Sequence, residues 1–141
     1  MKCKVSGKKM KPFMSFGKMP MANGFLKKKD FKKEFFYNLE VGFSKKNYLF
    51  QVNDHPKSPH IFNNNYPFYT NKSAYMVEHF KKYFKWVKKK YLNKNSNIIE
   101  IGSNDGSFLK NFKSSNFFHM GVEPSKNVAN YSKKKYGVKE I

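Results

Sequence analysis

Residues 97–106 constrain the fold of this chain more than any other stretch. A short run rich in isoleucine ends at Gly102 and is followed by Ser-Asn-Asp-Gly, and residues 107–112 have the character of a helix. The pattern predicts a strand, a tight glycine turn and a helix N-terminus. That arrangement directs backbone N–H groups and a helix dipole toward a bound ligand. The stretch is therefore a candidate nucleotide-binding turn.

A second buried strand is predicted at residues 116–123, and it ends in Glu123. A carboxylate at a strand tip can accept hydrogen bonds from both ribose hydroxyls. Dinucleotide-binding turns carry G-x-G-x-x-G, in which the second glycine admits a pyrophosphate, but here Asn104 stands at that position. A cofactor without a pyrophosphate fits better, and S-adenosylmethionine is the common one. The alternative is an α/β half with no ligand, because a G-x-x-x-G turn alone is weak evidence of binding.

On this hypothesis Glu100 lies near the amino-acid end of the cofactor, where a carboxylate can hold an ammonium group. The predicted cofactor-binding residues are Glu100, Gly102, Ser103, Asn104, Asp105, Gly106, Glu123 and Pro124.

The charge of the chain is strongly positive, with 29 basic residues, all of them lysine, against nine acidic ones. A net charge of +20 usually indicates a nucleic acid or an anionic membrane as partner. Arginine, which supplies bidentate contacts to bases and phosphates, is absent. We therefore interpret the lysines as a solvated surface and expect no nucleic-acid partner.

One cysteine excludes an internal disulfide, and no apolar run approaches the roughly 18 residues of a membrane-spanning helix. The N-terminus lacks the apolar core of a signal peptide. We expect a cytoplasmic protein with no membrane span.

The first 54 residues have a β-and-turn pattern. Residues 34–43 and 48–52 are predicted to form two antiparallel strands across the polar turn at residues 44–47. A module of this size buries little apolar area and often depends on a metal or a disulfide. This part of the chain is therefore expected to contain such a stabilising link.

Two pairs of positions have the spacing of zinc-binding C-x-x-C knuckles. They are Cys3 with Ser6, and Ser44 with Asn47, so that one of the four is cysteine. A hydroxyl and a carboxamide are poor substitutes for the thiolates of a zinc site. We therefore predict that no metal binds there.

The second half of the chain alternates helix and strand patterns. Residues 73–91 place an apolar stripe on one helix face and lysines on the other, which is typical of a helix that covers a sheet. Residues 126–136 are predicted to form another helix with Gly137 as its C-cap, and residues 138–141 to start a third strand. A Pro- and Asn-rich linker at residues 55–71 separates the predicted domains, residues 1–54 and residues 72–141.

Several motifs follow one another in an order known from one family. They are FGKMPMANGFL at 16–26, VGF at 41–43 with LFQ at 49–51, NYPFY at 65–69 with Ser73, Glu78 and His79, EIGSNDG at 100–106 and GVEPS at 121–125. In these motifs the chain resembles the N-terminal half of the sugar C-methyltransferases. These enzymes use S-adenosylmethionine to methylate a carbon of nucleotide-linked deoxysugars, and they begin with a small zinc-binding domain.

The resemblance implies an α/β fold. A small β-rich, zinc-ribbon-like module that has lost most of its metal ligands would precede a helix and the first part of a Rossmann-like methyltransferase sheet. The family's zinc cysteines fall on the four knuckle positions named above. His55 and His60 are close enough in sequence to be considered as replacement ligands, but we interpret them as solvent-facing or packing residues.

The resemblance also places Tyr66 and Tyr69 near the methyl donor and the sugar. A tyrosine hydroxyl there could orient a keto-sugar or assist proton removal, or the rings could only pack the domain junction, and both interpretations stay open.

A methyltransferase sheet of this type needs about seven strands, and the chain supplies two and the start of a third. We expect a truncated enzyme that is inactive alone, or one that a second chain completes, with a nucleotide-linked sugar as substrate. The alternative is a non-catalytic basic module or relic that binds polyanions such as nucleic acid or an anionic surface.

Overall fold

The computed structural model describes residues 1–53 and 56–141. The chain divides into two compact units, Met1–Ile61 and Phe62–Ile141. The sequence had placed residues 55–71 in a linker, whereas residues 62–71 belong to the second unit in the structure.

The first unit is built around a three-stranded antiparallel sheet. Its strands are β1 (Pro12–Pro20), β2 (Phe36–Ser44) and β3 (Leu49–Val52), in that order, and a 3-10 turn at Lys28–Lys33 and a one-turn helix α1 (Ser58–Ile61) complete it. The predicted hairpin at residues 34–52 is confirmed as the β2–β3 pair. This unit is small and β-rich, as the sequence predicted.

One face of the β2–β3 hairpin is covered by the N-terminal residues. The Gln51 side chain donates to the backbone oxygen of Lys2 at 2.9 Å, and a Cβ at Gly42 would collide with the side chains of Met1 and Met10. The first ten residues therefore pack on the face that carries Gly42 and Gln51, which are direct partners across the sheet.

The second unit contains a parallel sheet with helices. In chain order it has a 3-10 turn at Thr70–Lys72, α2 (Ala74–Tyr91), β4 (Asn97–Ile101), a 3-10 turn at Leu109–Phe112, β5 (Phe118–Val122), α3 (Lys126–Tyr136) and β6 (Lys139–Glu140). The strand order is β4-β5-β6, and both pairings are parallel.

The apolar core of this unit lies between α2 and the sheet. Phe108, Leu109, Phe112 and Val138 form its buried centre. The α2 stripe reaches it through Phe80 and Phe84, whose rings lie 5.8 Å from Phe108 and 4.8 Å from Phe112 respectively. Because successive strand residues point to opposite faces, Ile98 and Glu100 share the covered face of β4, whereas Ile99 and Ile101 are exposed on the other.

The helix predicted at residues 107–112 is wrong, because only the 3-10 turn at Leu109–Phe112 forms. The Asn111 side chain donates to the backbone oxygens of Ser107 and Phe108 at 3.2 and 2.8 Å, and the Ser115 hydroxyl donates to that of Phe112. The Asn111 amide thus takes the Ser107 carbonyl, while the backbone N–H groups of Asn111 and Ser115 donate three residues back, to Phe108 and Phe112, as in a 3-10 turn. No α-helix dipole is therefore directed at the glycine turn from this segment.

The two predicted helices are confirmed. Ser73 caps α2 by accepting a hydrogen bond from the backbone N–H of Met76 at 3.3 Å. Gly137 ends α3 in the left-handed conformation with φ of 69°. None of the helices among residues 1–53 and 56–141 is both long and apolar enough to cross a membrane.

Candidate cofactor site

The glycine turn after β4 and Glu123, the acidic residue after β5, lie side by side. The backbone N–H of Gly102 donates to the carbonyl of Val122 at 2.8 Å, so the β4–β5 ladder extends to the turn. The backbone N–H of Asn104 then donates to Glu123 Oε2 at 2.9 Å, and that of Ser125 donates to Oε1 at 2.7 Å. The carboxylate of Glu123 is therefore fixed between the turn and the first residues of α3.

Glu123 retains acceptor capacity in this position. A carboxylate offers about four lone-pair sites, and two of them are used by these backbone groups. The side chain is 9% exposed, and its neighbour Pro124 is exposed. The site can accept two further hydrogen bonds, which is what a ribose diol offers.

The turn takes its shape from three residues with positive φ: Gly102 (75°), Asn104 (51°) and Gly106 (74°). A Cβ at Gly106 would collide with the Ser132 hydroxyl of α3, whereas a Cβ at Gly102 would meet nothing within 4 Å. Gly106 is therefore required by packing as well as by its backbone conformation. The space beside Gly102 is open.

The side chains of Asn104 and Asp105 hold the preceding segment, residues 68–71. Asn104 Oδ1 accepts from the N–H and hydroxyl of Thr70 at 3.1 and 3.2 Å, and its Nδ2 donates to the Phe68 carbonyl at 3.1 Å. Asp105 accepts from the N–H of Asn71 at 2.8 Å. Both residues were predicted as cofactor contacts, but in the structure their side chains fasten residues 68–71 to the turn.

Of the two predicted tyrosines, Tyr69 belongs to this fastened segment and Tyr66 precedes it, and both contact α3. Asn127 Nδ2 donates to the Tyr69 hydroxyl at 3.0 Å and to the Tyr66 carbonyl at 2.7 Å. The ring of Tyr69 packs edge-on against that of Tyr131 at 5.4 Å. Asn127 thus fixes the hydroxyl of Tyr69 as an acceptor, which leaves the phenolic proton available to donate.

Several carboxylates are concentrated at this edge of the sheet, among them those of Glu100, Asp105, Glu123 and Glu140. Glu140 is buried and accepts from the hydroxyls of Ser103 and Ser132, each at 2.7 Å. Burial raises the pKa of Glu100 from 4.5 to about 8, and the charges of Glu140 and Asp105 add to the effect. Among the residues that the structure describes, the ion pair is Lys81–Glu78 on α2, away from these carboxylates.

Four buried polar atoms in the described residues lack a hydrogen-bond partner, and all belong to the segments that build this edge. They are Glu100 Oε2, Asn71 Nδ2, Ser125 Oγ and Asn127 Oδ1. Unpaired buried groups are costly unless a ligand or water completes them. The unpaired oxygen of Glu100 is suited to a cationic group, because a nearby positive charge would favour the ionised carboxylate and offset the cost of burying it.

Sequence reasoning missed Glu140, Ser125 and Asn127. Glu140 lies at the end of β6 much as Glu123 follows β5, so the repeated pattern of an acid at a strand end was a usable signal. Ser125 precedes α3 in the way an N-cap residue does. Nothing in the sequence indicated that Asn127 would reach Tyr69.

In the first unit, three of the four knuckle positions are in contact. Cys3 Sγ accepts from Ser6 N and Asn47 Nδ2, both at 3.4 Å. Hydrogen bonds from Ser6 first, then from Asn47, lower the pKa of the Cys3 thiol to about 6. The fourth position, Ser44, is buried at the end of β2. One thiol with hydroxyls and a carboxamide does not match the donor set of tetrahedral zinc, so zinc loss stays a prediction from donor chemistry.

Of the two histidines considered as replacement ligands, the structure describes one, His60, whose ring packs on an aromatic neighbour. His60 stacks on Phe35 with ring centroids 4.4 Å apart and an interplanar angle of 12°. His55 lies outside the described residues. Across residues 1–53 and 56–141, no three or more His, Cys, Asp or Glu side chains are grouped so as to hold a metal ion.

Comparison with known proteins gives a partial match. No curated protein matches the chain. Residues 3–62 match a methyltransferase family described as "Putative zinc binding domain". This range covers the described strands of the first unit and reaches the start of the second. The N-terminal part of the chain is therefore similar to a domain that accompanies methyltransferases.

Proposed function

We propose that residues 62–141 bind S-adenosylmethionine at the tips of β4 and β5, and that the chain acts in methylation of a carbon of a nucleotide-linked deoxysugar. The observation that carries the proposal is the position of the Glu123 carboxylate, which is bonded to the backbone of the glycine turn one strand away. The methyltransferase-associated match of residues 3–62 supports the reaction class. The sugar rests on the resemblance in the sequence.

Each residue has a role that its surroundings allow. Glu123 would accept the ribose hydroxyls through its remaining lone pairs, and Glu100 would face the ammonium group. The open space beside Gly102 would admit the cofactor close to the backbone. When bound, S-adenosylmethionine supplies an electrophilic methyl group.

The tyrosines would act on the sugar. The hydroxyl of Tyr69 accepts from Asn127, so its proton can be donated to a substrate oxygen. Tyr66 lies beside it, with its carbonyl held by the same amide. We propose that this pair orients the sugar near the carbon that is methylated.

Isothermal titration of the full chain with S-adenosylmethionine tests the proposal. Glu123→Gln should weaken binding about 10- to 100-fold, because hydrogen bonds to a charged group contribute about 1.5–3 kcal/mol. Glu78→Gln, the same chemical change at an exposed residue of α2, is the matched control and should bind like the wild type. Absence of binding by the wild-type chain, or equal affinity of the Glu123 variant, would refute the cofactor site.

A further inference from the structure

The outer face of the hairpin in the first unit carries an open aromatic pocket. Phe43 and Phe50 are direct partners across β2 and β3, so their side chains lie on the same face. The ring of Phe13 on β1 lies 5.8 Å from that of Phe50. Together with Pro12, Lys11 and Lys45, these rings line a cavity of about 500 Å³, called here the phenylalanine pocket.

The rings of the phenylalanine pocket are presented to solvent. Phe13 is 58% exposed and Phe50 is 61% exposed, while the opposite face of the hairpin is covered by the N-terminal residues. Tyr48, in the turn between the strands, is also exposed and lies 6.4 Å from Phe43. The face therefore offers several rings in succession rather than a single one.

The charge around the pocket is positive. Residues 1–61 contain 14 lysines and four acidic residues. Lys11 and Lys45 line the cavity itself, and in the described part of the chain neither forms an ion pair with a carboxylate. An aromatic surface with free ammonium groups at its rim complements a ligand that has flat apolar faces and negative charges.

We propose that the phenylalanine pocket binds single-stranded nucleic acid. Base faces would stack on Phe13, Phe50 and Phe43, and the phosphates would pair with Lys11 and Lys45. A succession of rings suits successive bases of a strand, whereas a duplex keeps its base faces inside the stack. The absence of arginine, from which the sequence predicted no nucleic-acid partner, argues against sequence-specific base reading, because that relies on bidentate arginine. Stacking and phosphate pairing that tolerate any sequence need only aromatic rings and lysines. This activity is independent of the cofactor site in the second unit.

Fluorescence anisotropy of the full chain with a labelled oligothymidine and with a duplex of equal length tests this proposal. We expect tighter binding of the single strand. Phe50→Ala should weaken it at least about fivefold, in line with the loss of one stacked base. Phe31→Ala is the matched control, because Phe31 is 60% exposed in the same unit but lies outside the pocket, and it should change nothing.

Replacement of both Lys11 and Lys45 by glutamine should reduce the slope of log affinity against log salt by about 1.4, which is the value for two charges on a single strand. Circular dichroism of each variant confirms its fold. Equal affinity of the Phe50 and Phe31 variants, equal binding of duplex and single strand, or binding of thymidine monophosphate as tightly as the oligonucleotide would each overturn the proposal.

Discussion

Glu100 makes the stability of this protein depend on pH in a direction opposite to that of most carboxylates. Burial raises its pKa from 4.5 to about 8, so the folded chain holds this proton more tightly than the unfolded chain does. Between these two values the unfolded state binds fewer protons, and the free energy of unfolding therefore falls as pH rises. The loss of unfolding free energy caused by ionising Glu100 is absent below about pH 4.5 and complete above about pH 8.

The size of the effect follows from the pKa values. The rise in the pKa of Glu100 from 4.5 to about 8 corresponds to a change of at most about 5 kcal/mol in the free energy of unfolding, because one pKa unit is about 1.4 kcal/mol. Glu100→Gln removes the titrating group and keeps the shape of the side chain. The variant should therefore match the wild type at pH 4.5 and become more stable by up to about 5 kcal/mol at pH 9.

Urea denaturation of both proteins at intervals from pH 4.5 to pH 9 measures this difference. At each pH the contributions of titrating groups that do not interact with Glu100 are the same in both proteins and cancel in the difference. Glu78→Gln, on the exposed face of α2, supplies the control and should give a flat difference curve. A flat difference curve for Glu100→Gln, or one that falls with pH, would show that folding does not raise the pKa of Glu100 and would refute the prediction.

Two further outcomes are expected from other residues. Gly106→Ala should lower the stability measured by thermal denaturation by about 1–3 kcal/mol, because Gly106 has a φ of 74° and a Cβ there would collide with Ser132. The loss should exceed that of Gly102→Ala, where φ is similar but the space is open. Equal losses in the two variants would contradict the packing argument. Ultraviolet titration of the Cys3 thiolate should give a midpoint near pH 6, and Asn47→Ala should raise this midpoint. A midpoint near pH 9 in the wild-type chain would show that hydrogen bonds do not stabilise the thiolate.

The elements that the sequence predicted well are those governed by local rules. The apolar stripe and the serine cap determine α2, and the left-handed glycine determines the end of α3. The adjacency of Gly102 and Glu123 also follows from the sequence, because parallel strands bring their carboxyl ends to one edge.

The elements that were not predicted depend on side-chain hydrogen bonds between distant residues. The helix expected after the glycine turn gives way to a 3-10 turn, in which the side chain of Asn111 takes the Ser107 carbonyl and its backbone N–H donates to Phe108 instead. The binding of Thr70 by Asn104 spans 34 residues, and no periodic pattern records it. The pKa of Glu100 is raised first by burial in the folded chain and then by the charge of Glu140, which is 40 positions away in the sequence.

The hydrogen bonds that attach residues 68–71 to Asn104 and Asp105 couple two separate parts of the sequence, so that they are expected to order together. Disorder in either part removes the bonds that shape the other, so a substitution near Thr70 disturbs the backbone of the turn without touching it. Amino-acid changes in residues 68–71 and in the glycine turn will consequently affect the same structure. A substitution that compensates for a damaged turn is therefore to be sought some thirty residues upstream, near Thr70.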